Sequence, residues 1–177
     1  VDGLVTALQR AGFAEPPGFE ATVLGVGATA RSAVAAMHRL GASSIHMLAR
    51  RPETAIPARE TGERLGVAVE VHTFDRTRYL EVPLVIATVP PGVADGLAAR
   101  LPGSPRWLLD VVYSPWPTRI AESWQARGGT IVSGLEMLLA QAPSGSYFTF
   151  LGTLASAGSR KVAPKPLMGQ VAYADRS

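Results

Sequence analysis

Apolar residues recur along the chain in two rhythms, and the alternation between them is the first structural signal. Leu4, Val5, Leu8 and Ala11 fall at helical spacing, with Gly12 where a left-handed C-terminal cap would sit, so Val1 to Gly12 predicts a helix. Glu15-Pro16-Pro17-Gly18 predicts a turn or linker. Short apolar runs then alternate with helical ones. Ala21–Leu24 and Ser44–Leu48 read as strands on either side of a helix over Ala30–Leu40, which Gly41 closes. Glu53–Leu65 predicts another helix, interrupted at Pro57 and closed by Gly66. Val67, Val69 and Val71 alternate at period two, as a half-buried strand requires. Val82–Thr88, Trp107–Val112 and Thr130–Ser133 complete the strands. Helices are expected around Gly92–Arg100, Thr118–Arg127 and Leu135–Gln141. Strands alternating with helices imply an α/β class: a doubly wound, mostly parallel sheet covered on both faces.

The texture changes after Gln141. Ala142-Pro143-Ser144-Gly145-Ser146 breaks any helix, and Gly158–Ser177 holds both lysines of the chain, Lys161 and Lys165, without a convincing period. Residues 142–177 are therefore expected to be irregular: a disordered tail, or sequence foreign to the domain's native end.

At 177 residues, 47% of them hydrophobic, the chain has material for one domain with a substantial core, or one domain and a tail. No apolar run approaches the length of a membrane span, and the amino end does not resemble a signal segment. Cysteine is absent, which excludes disulfides and thiolate metal sites and fits a cytoplasmic setting. The net charge of +3 is misleading, because thirteen arginines balance thirteen acids up to Ser159. The excess comes from Arg160, Lys161, Lys165 and Arg176 against Asp175. A body that is neutral leaves no footprint for nucleic acid or a membrane surface. His38, His46 and His72 are scattered singly in sequence, so each is expected on the surface of an element rather than on a metal.

Candidate chemistry starts at Gly25-Val26-Gly27-Ala28-Thr29-Ala30, which follows a predicted strand and opens a predicted helix. Gly25 permits a tight turn, Gly27 lets the backbone approach a pyrophosphate, and Ala30 lets the helix pack closely on the sheet. Amides at this helix start, Ala28, Thr29 and Ala30 among them, are suited to phosphate charge. These features mark a Rossmann-like nucleotide site. At the end of the second strand, where an NAD enzyme usually places an acid, stand Arg50 and Arg51. Guanidinium groups pair with phosphate in forked geometry, so a 2′-phosphate, and hence NADP rather than NAD, is the expected ligand. Ala87, Thr88 and Val89 lie at another strand's carboxyl end before Pro90-Pro91-Gly92, a position that suits a ligand contact and an ordinary strand exit equally. Tyr113, after the Trp107–Val112 strand, is placed either to donate into a cleft or to pack, and Thr118 is suited to cap the next helix. Gly134, Met137 and Gln141 share a helical face, where Gln141 would meet a polyhydroxy ligand or solvent.

Together these segments resemble the shikimate dehydrogenase family. Gly25 to Arg31 resembles its Gly-x-Gly-Gly-x-x-Arg loop, Arg50 falls on the arginine of Asn-Arg-Thr, and Ala87-Thr88-Val89-Pro90 resembles its Ala-Thr-Pro turn. Asp110, Tyr113, Pro115 and Thr118 match Asp-x-x-Tyr-x-Pro-x-x-Thr, and Gly134, Met137, Leu138 and Gln141 match Gly-x-x-Met-Leu-x-x-Gln. Asp2-Gly3-Leu4 is similar to the run that follows the family's Asn-Thr-Asp.

The resemblance implies NADPH-linked, reversible reduction of 3-dehydroshikimate to shikimate, on the way to aromatic amino acids. It implies Arg50 on the 2′-phosphate, Val111, Gly134 and Met137 along the nicotinamide side, and Tyr113 and Gln141 on the substrate. It also implies a catalytic lysine–aspartate pair in an amino-terminal domain, the aspartate immediately before Val1, so no catalytic residue is expected in this chain. The expected organisation is therefore a helix leading from that domain over 1–18, an NADP-binding domain over 19–141, and the irregular segment beyond. The chain departs from the pattern at Ala28, which replaces a glycine, at Ala49, which replaces the asparagine, at Arg51, which replaces a threonine, and at Thr54, which stands where the family has a further basic residue. Shikimate or 3-dehydroshikimate is the expected small-molecule partner, and the oligomeric state is left open, a homodimer included. The competing expectations are a stand-alone NADP-binding module and a quinate-using relative.

Overall fold

The computed structural model describes residues 1–141. The expectations placed on 142–177, including a last helix broken by Pro143 and Gly145, lie outside the described residues.

Helix α1 (Asp2–Ala11) ends as its sequence predicts, on Gly12 at φ 97°. Six strands follow: β1 (Glu20–Leu24), β2 (Ser44–Ala49), β3 (Ala68–Thr73), β4 (Leu84–Ala87), β5 (Trp107–Asp110) and β6 (Thr130–Ser133). Between and after them lie α2 (Ala28–Arg39), α3 (Ile56–Leu65), α4 (Asp95–Ala98), α5 (Arg119–Ala126) and α6 (Gly134–Gln141). The strands form one sheet in the order β3-β2-β1-β4-β5-β6, every pair parallel. Sequence order reverses between β1 and β4, and in such sheets ligands bind in the crevice outside the strand ends at that point.

The pleat divides the core in two. Ala21, Val23, Ile45, Met47, Leu84, Ile86, Leu109 and Val132 share one face with buried residues of α1, α2 and α3. Leu24, Leu48, Val85, Ala87 and Leu108 point the other way, into a cluster completed by Leu97 of α4 and by Ile120, Ala121 and Trp124 of α5. Central strands covered on both sides have no polar face, hence the continuous burial along β4. β3 lies at the edge, and there Val69 and Val71 are half-buried in alternation with exposed Ala68 and Glu70, as the period-two pattern predicts, until His72, which is half-buried on the opposite face. Helix α2 turns Ala30, Ala33, Val34, Ala36 and Met37 inward, and its small residues let the axis lie close to the sheet. Full burial of a side chain such as Met37 contributes roughly 1.5–3 kcal/mol.

Three local expectations are corrected. Pro57 does not interrupt a helix: a 3-10 turn over Pro52–Ala55 hands over to α3, and Pro57 stands in the first turn of α3, where an N–H has no helical acceptor. The helix expected over Gly92–Arg100 shrinks to Asp95–Ala98. Gly92 is left-handed at φ 85°, Gly96 weakens the helix, and the flanking bonds span three residues, as from Asp95 N–H to the Gly92 carbonyl at 3.3 Å. A 3-10 turn over Thr77–Leu80 had no periodic signal, yet it buries Leu80 completely. The histidines are not all solitary. His38 is exposed on α2 as expected, but His46 is buried on the sheet, where register sets Glu70 opposite it and His72 opposite Leu48 on the same face. No helix among the described residues is long and apolar enough to cross a membrane.

Candidate functional site

At the carboxyl end of β1 the chain enters Gly25 at φ 103°, a conformation that residues with side chains rarely adopt. Space is equally restrictive: a Cβ there would lie 2.8 Å from Thr88 Oγ1 and 2.9 Å from Val89 Cγ1. Gly25 thus serves both the turn and the approach of the loop leaving β4. Gly27 is different. Its backbone is extended, at φ −75° and ψ −169°, and a Cβ would meet no protein atom within 4 Å. Neither strain nor internal packing calls for glycine there, and the room it leaves lies over the start of α2. Helix α2 has no side-chain cap and no acid in its first turn, so apart from the Ala30 N–H, which donates to the Gly27 carbonyl at 3.1 Å, its amino-terminal amides and partial positive charge are not neutralised from within. Ala28 and Thr29 are exposed at that end, while Ala30 is fully buried against the sheet.

β2 pairs with β1, and the Gly25 N–H donates to the Leu48 carbonyl at 2.8 Å, so the residues after β2 stand beside the glycine turn. These are Arg50 and Arg51, both exposed and neither in an ion pair among the described residues. The Arg51 carbonyl accepts from the Thr54 N–H at 3.1 Å and the Thr54 hydroxyl at 2.8 Å. Thr54 therefore shapes this turn and leaves the positive charge to the two arginines.

β4 ends on the buried Ala87, followed by half-buried Thr88 and Val89. The Thr88 hydroxyl donates to the Leu24 carbonyl at 2.8 Å, and its N–H to the same oxygen at 2.9 Å. Thr88 is therefore a strut between β1 and β4, with only lone pairs of its hydroxyl left for a ligand.

β5 ends on Asp110, which is buried yet well bonded. It accepts from the Val112 N–H at 3.1 Å and the Thr118 hydroxyl at 2.6 Å, and Thr118 Oγ1 in turn accepts from Ala121 N–H at 3.3 Å. Burial raises the Asp110 pKa above the ordinary carboxylate value, against the opposing effect of these two hydrogen bonds. Asp110 thereby ties the loop holding Val111 and Tyr113 to the start of α5, with Thr118 the expected cap. Tyr113 is 60% exposed, so packing does not explain it.

Gly134 opens α6 against that loop. A Cβ there would overlap the carbonyl of Val111, and its N–H donates to the Val112 carbonyl at 3.3 Å. Ser133 and Glu136 form a reciprocal cap for α6: Ser133 N–H donates to Glu136 Oε2 at 2.6 Å and Glu136 N–H to Ser133 Oγ at 3.3 Å. Met137 is half-buried against the core and Gln141 is the last residue of α6.

The glycine turn, the arginine pair, the β4 exit and the β5 loop with α6 thus all lie at the carboxyl ends of the parallel strands. The uncapped helix end and the unpaired guanidiniums suit a pyrophosphate and a further phosphate. Sequence reasoning missed two supports of this end of the sheet, the Asp110 clamp and the Ser133–Glu136 cap. The second had a legible sign, a serine three residues before a glutamate at a helix start. The first was marked only as two positions of one motif, Asp110 and Thr118, since only the fold shows Asp110 buried and bonded to the threonine.

No family model matches the chain. A shikimate dehydrogenase (NADP(+)) from Moorella thermoacetica is 31% identical over 153 residues, covering 78% of this chain and 50% of that protein. One from Nostoc sp. strain PCC 7120 is 29% identical over 155 residues, covering 80% of this chain and 53% of its own. Among solved structures, that of Mycobacterium tuberculosis shikimate dehydrogenase superposes with a TM-score of 0.71 at 33% identity, covering 86% of this chain and 60% of that one. The chain thus spans about half the length of the curated shikimate dehydrogenases it matches.

Proposed function

The chain belongs to the shikimate dehydrogenase family, and from that premise we propose that it is the NADP-binding part of an enzyme that reversibly reduces 3-dehydroshikimate to shikimate with NADPH. The observation that carries the reading is the pair of exposed, unpaired arginines beside the Gly25 turn at the crevice of a 3-2-1-4-5-6 sheet. In this reading Arg50 and Arg51 take the 2′-phosphate of the cofactor, and the amides of Ala28 and Thr29 take the pyrophosphate over Gly27, at a helix start that the buried Ala30 seats on the sheet. Thr88 holds the β4 loop against Gly25, so that Ala87 and Val89 wall the crevice. Gly134 lets the Val111 loop approach α6, which brings Val111 and Met137 to the nicotinamide side.

Bound NADPH supplies the hydride for a carbonyl carbon. The protein's share is to hold that carbon close, exclude water and deliver a proton. Tyr113, exposed at the tip of the Asp110-clamped loop, and Gln141, at the end of α6, are the groups assigned to the substrate. No lysine precedes Lys161, so the proton-handling lysine known from the family has no counterpart among residues 1–141. The domain boundaries follow suit: 1–18 leads into the nucleotide domain at 19–141. The cytoplasmic setting expected from the cysteine-free composition belongs to the same proposal. Titration of the chain with NADPH, followed by nicotinamide fluorescence, tests it. Saturable binding of one NADPH per chain is expected, and failure to bind either NADPH or NADH would remove the cofactor role.

A further inference from the structure

A second cluster of chemistry lies away from the strand ends, on the sheet face that carries Leu24 and Leu48. Parallel register between β2 and β3 sets His46 opposite Glu70 and Leu48 opposite His72, so the three polar side chains rise from one face of two adjacent strands. His46 Nδ1 lies 3.6 Å from Glu70 Oε2, and His72 Nε2 lies 3.4 Å from the same oxygen. Neither contact has the length and alignment of a hydrogen bond, and both ring nitrogens are shut off from solvent without a hydrogen-bond partner. The His46 side chain is only 8% exposed. Tyr79 covers the pair, its ring stacked on His72 at 3.9 Å between centroids and 4.3 Å from that of His46. Arg78 lies 4.7 Å over the same tyrosine ring.

Two desolvated imidazole nitrogens without a hydrogen bond are costly, and among the described residues they are the buried side-chain polar atoms left in that state. One ion resolves both. A tetrahedral zinc site with bonds of about 2.0–2.2 Å has ligand-to-ligand edges of roughly 3.3–3.6 Å, which the two nitrogen–oxygen separations already match. All three ligand atoms lie within 4.8 Å of one another. A supporting carboxylate is also at hand: Glu20 Oε2 stands 3.5 Å from His46 Nε2, the nitrogen facing away from Glu70, close enough to engage it once a metal is held. A carboxylate on the far nitrogen selects the tautomer whose Nδ1 lone pair is free to ligate. Two imidazoles and one carboxylate, without thiolate, suit Zn²⁺ or a neighbouring divalent ion and leave a coordination position for water. We propose that His46, Glu70 and His72 form a binding site for a divalent transition-metal ion, typified by Zn²⁺, which clips the edge strand β3 to β2. The site is independent of the nucleotide reading, since none of its residues belongs to the crevice.

The test is calorimetric titration of the whole, tag-free, chelator-treated chain with Zn²⁺, paralleled by Co²⁺ and its visible ligand-field spectrum. One ion per chain is expected, with a rise in melting temperature. Glu70→Gln and His72→Gln, both at partly exposed positions, should each weaken binding by about tenfold or more, while His38→Gln leaves it unchanged. Circular dichroism of the variants without metal should match that of the parent, which separates lost ligation from lost folding. Absence of saturable binding at submillimolar Zn²⁺ overturns the proposal, as does an affinity untouched by both Glu70→Gln and His72→Gln.

Discussion

Asp110 is 2% exposed, and its carboxylate is held by the Val112 N–H and the Thr118 hydroxyl. Because burial raises its folded pKa above the unfolded value, the folded state binds the proton more tightly. Its contribution to stability is therefore greatest at low pH, and falls as pH rises from the ordinary aspartate value through the raised one. Asp110→Asn keeps an acceptor for Val112 but turns an amide N–H toward Thr118, whose hydroxyl loses its acceptor. It should remove this descending limb, leaving a variant whose stability is flat over the pH range where the parent's falls. Denaturant unfolding from pH 3 to 7 checks this, and an identical pH profile in both proteins would show that Asp110 does not carry the effect. Gly25→Ala faces both positive φ and the contacts with Thr88 and Val89. It should cost about 1–3 kcal/mol in stability and weaken NADPH binding as the β4 loop is pushed away. A variant of parental stability would contradict the close approach. The glycine and arginine positions were legible because their neighbours in sequence define them. Thr88 and Gly134 were legible as motif members but not as a strut and a point of close approach, since Leu24 and Val111, their partners, are distant in the chain.

The strands were legible from their apolar pattern. β4 reads as a continuous apolar run, β1 and β2 as runs broken by Thr22 and His46, and β3 as an alternating one, which is the difference between central and edge position. What periodicity could not convey was register. Glu70 and His72, two residues apart, share a face of β3 by period alone, but His46 joins them only once β2 and β3 pair. The 3-10 segments escaped for a related reason, being too short to show a period. At α6, the Ser133–Glu136 cap secures the start of the helix that bears Met137 and Gln141. Ser133→Ala should cost about 1 kcal/mol by chemical denaturation, with slight loss of helical signal. An unchanged midpoint would show that α6 is held by packing alone.

Across the whole molecule, the strand order and the placement of glycines and arginines at the carboxyl ends of the strands cohere with a dinucleotide domain, while the chain spans about half the length of its curated relatives. Residues 1–160 contain no lysine, so the chain alone is expected to show no shikimate-dependent reduction of NADP in a spectrophotometric assay. Robust turnover would place a proton-transfer group elsewhere in the chain. Cofactor choice is the sharper test, because it isolates the two guanidiniums from everything else in the crevice. Binding of NADPH and NADH should be titrated on the parent and on the Arg50→Ala/Arg51→Ala double variant. The parent should prefer NADPH, and the double variant should lose about 2–4 kcal/mol on NADPH and little on NADH, taking charged hydrogen bonds at ~1.5–3 each and discounting for exposure. Equal losses for the two cofactors, or none for either, would contradict a 2′-phosphate site at Arg50 and Arg51.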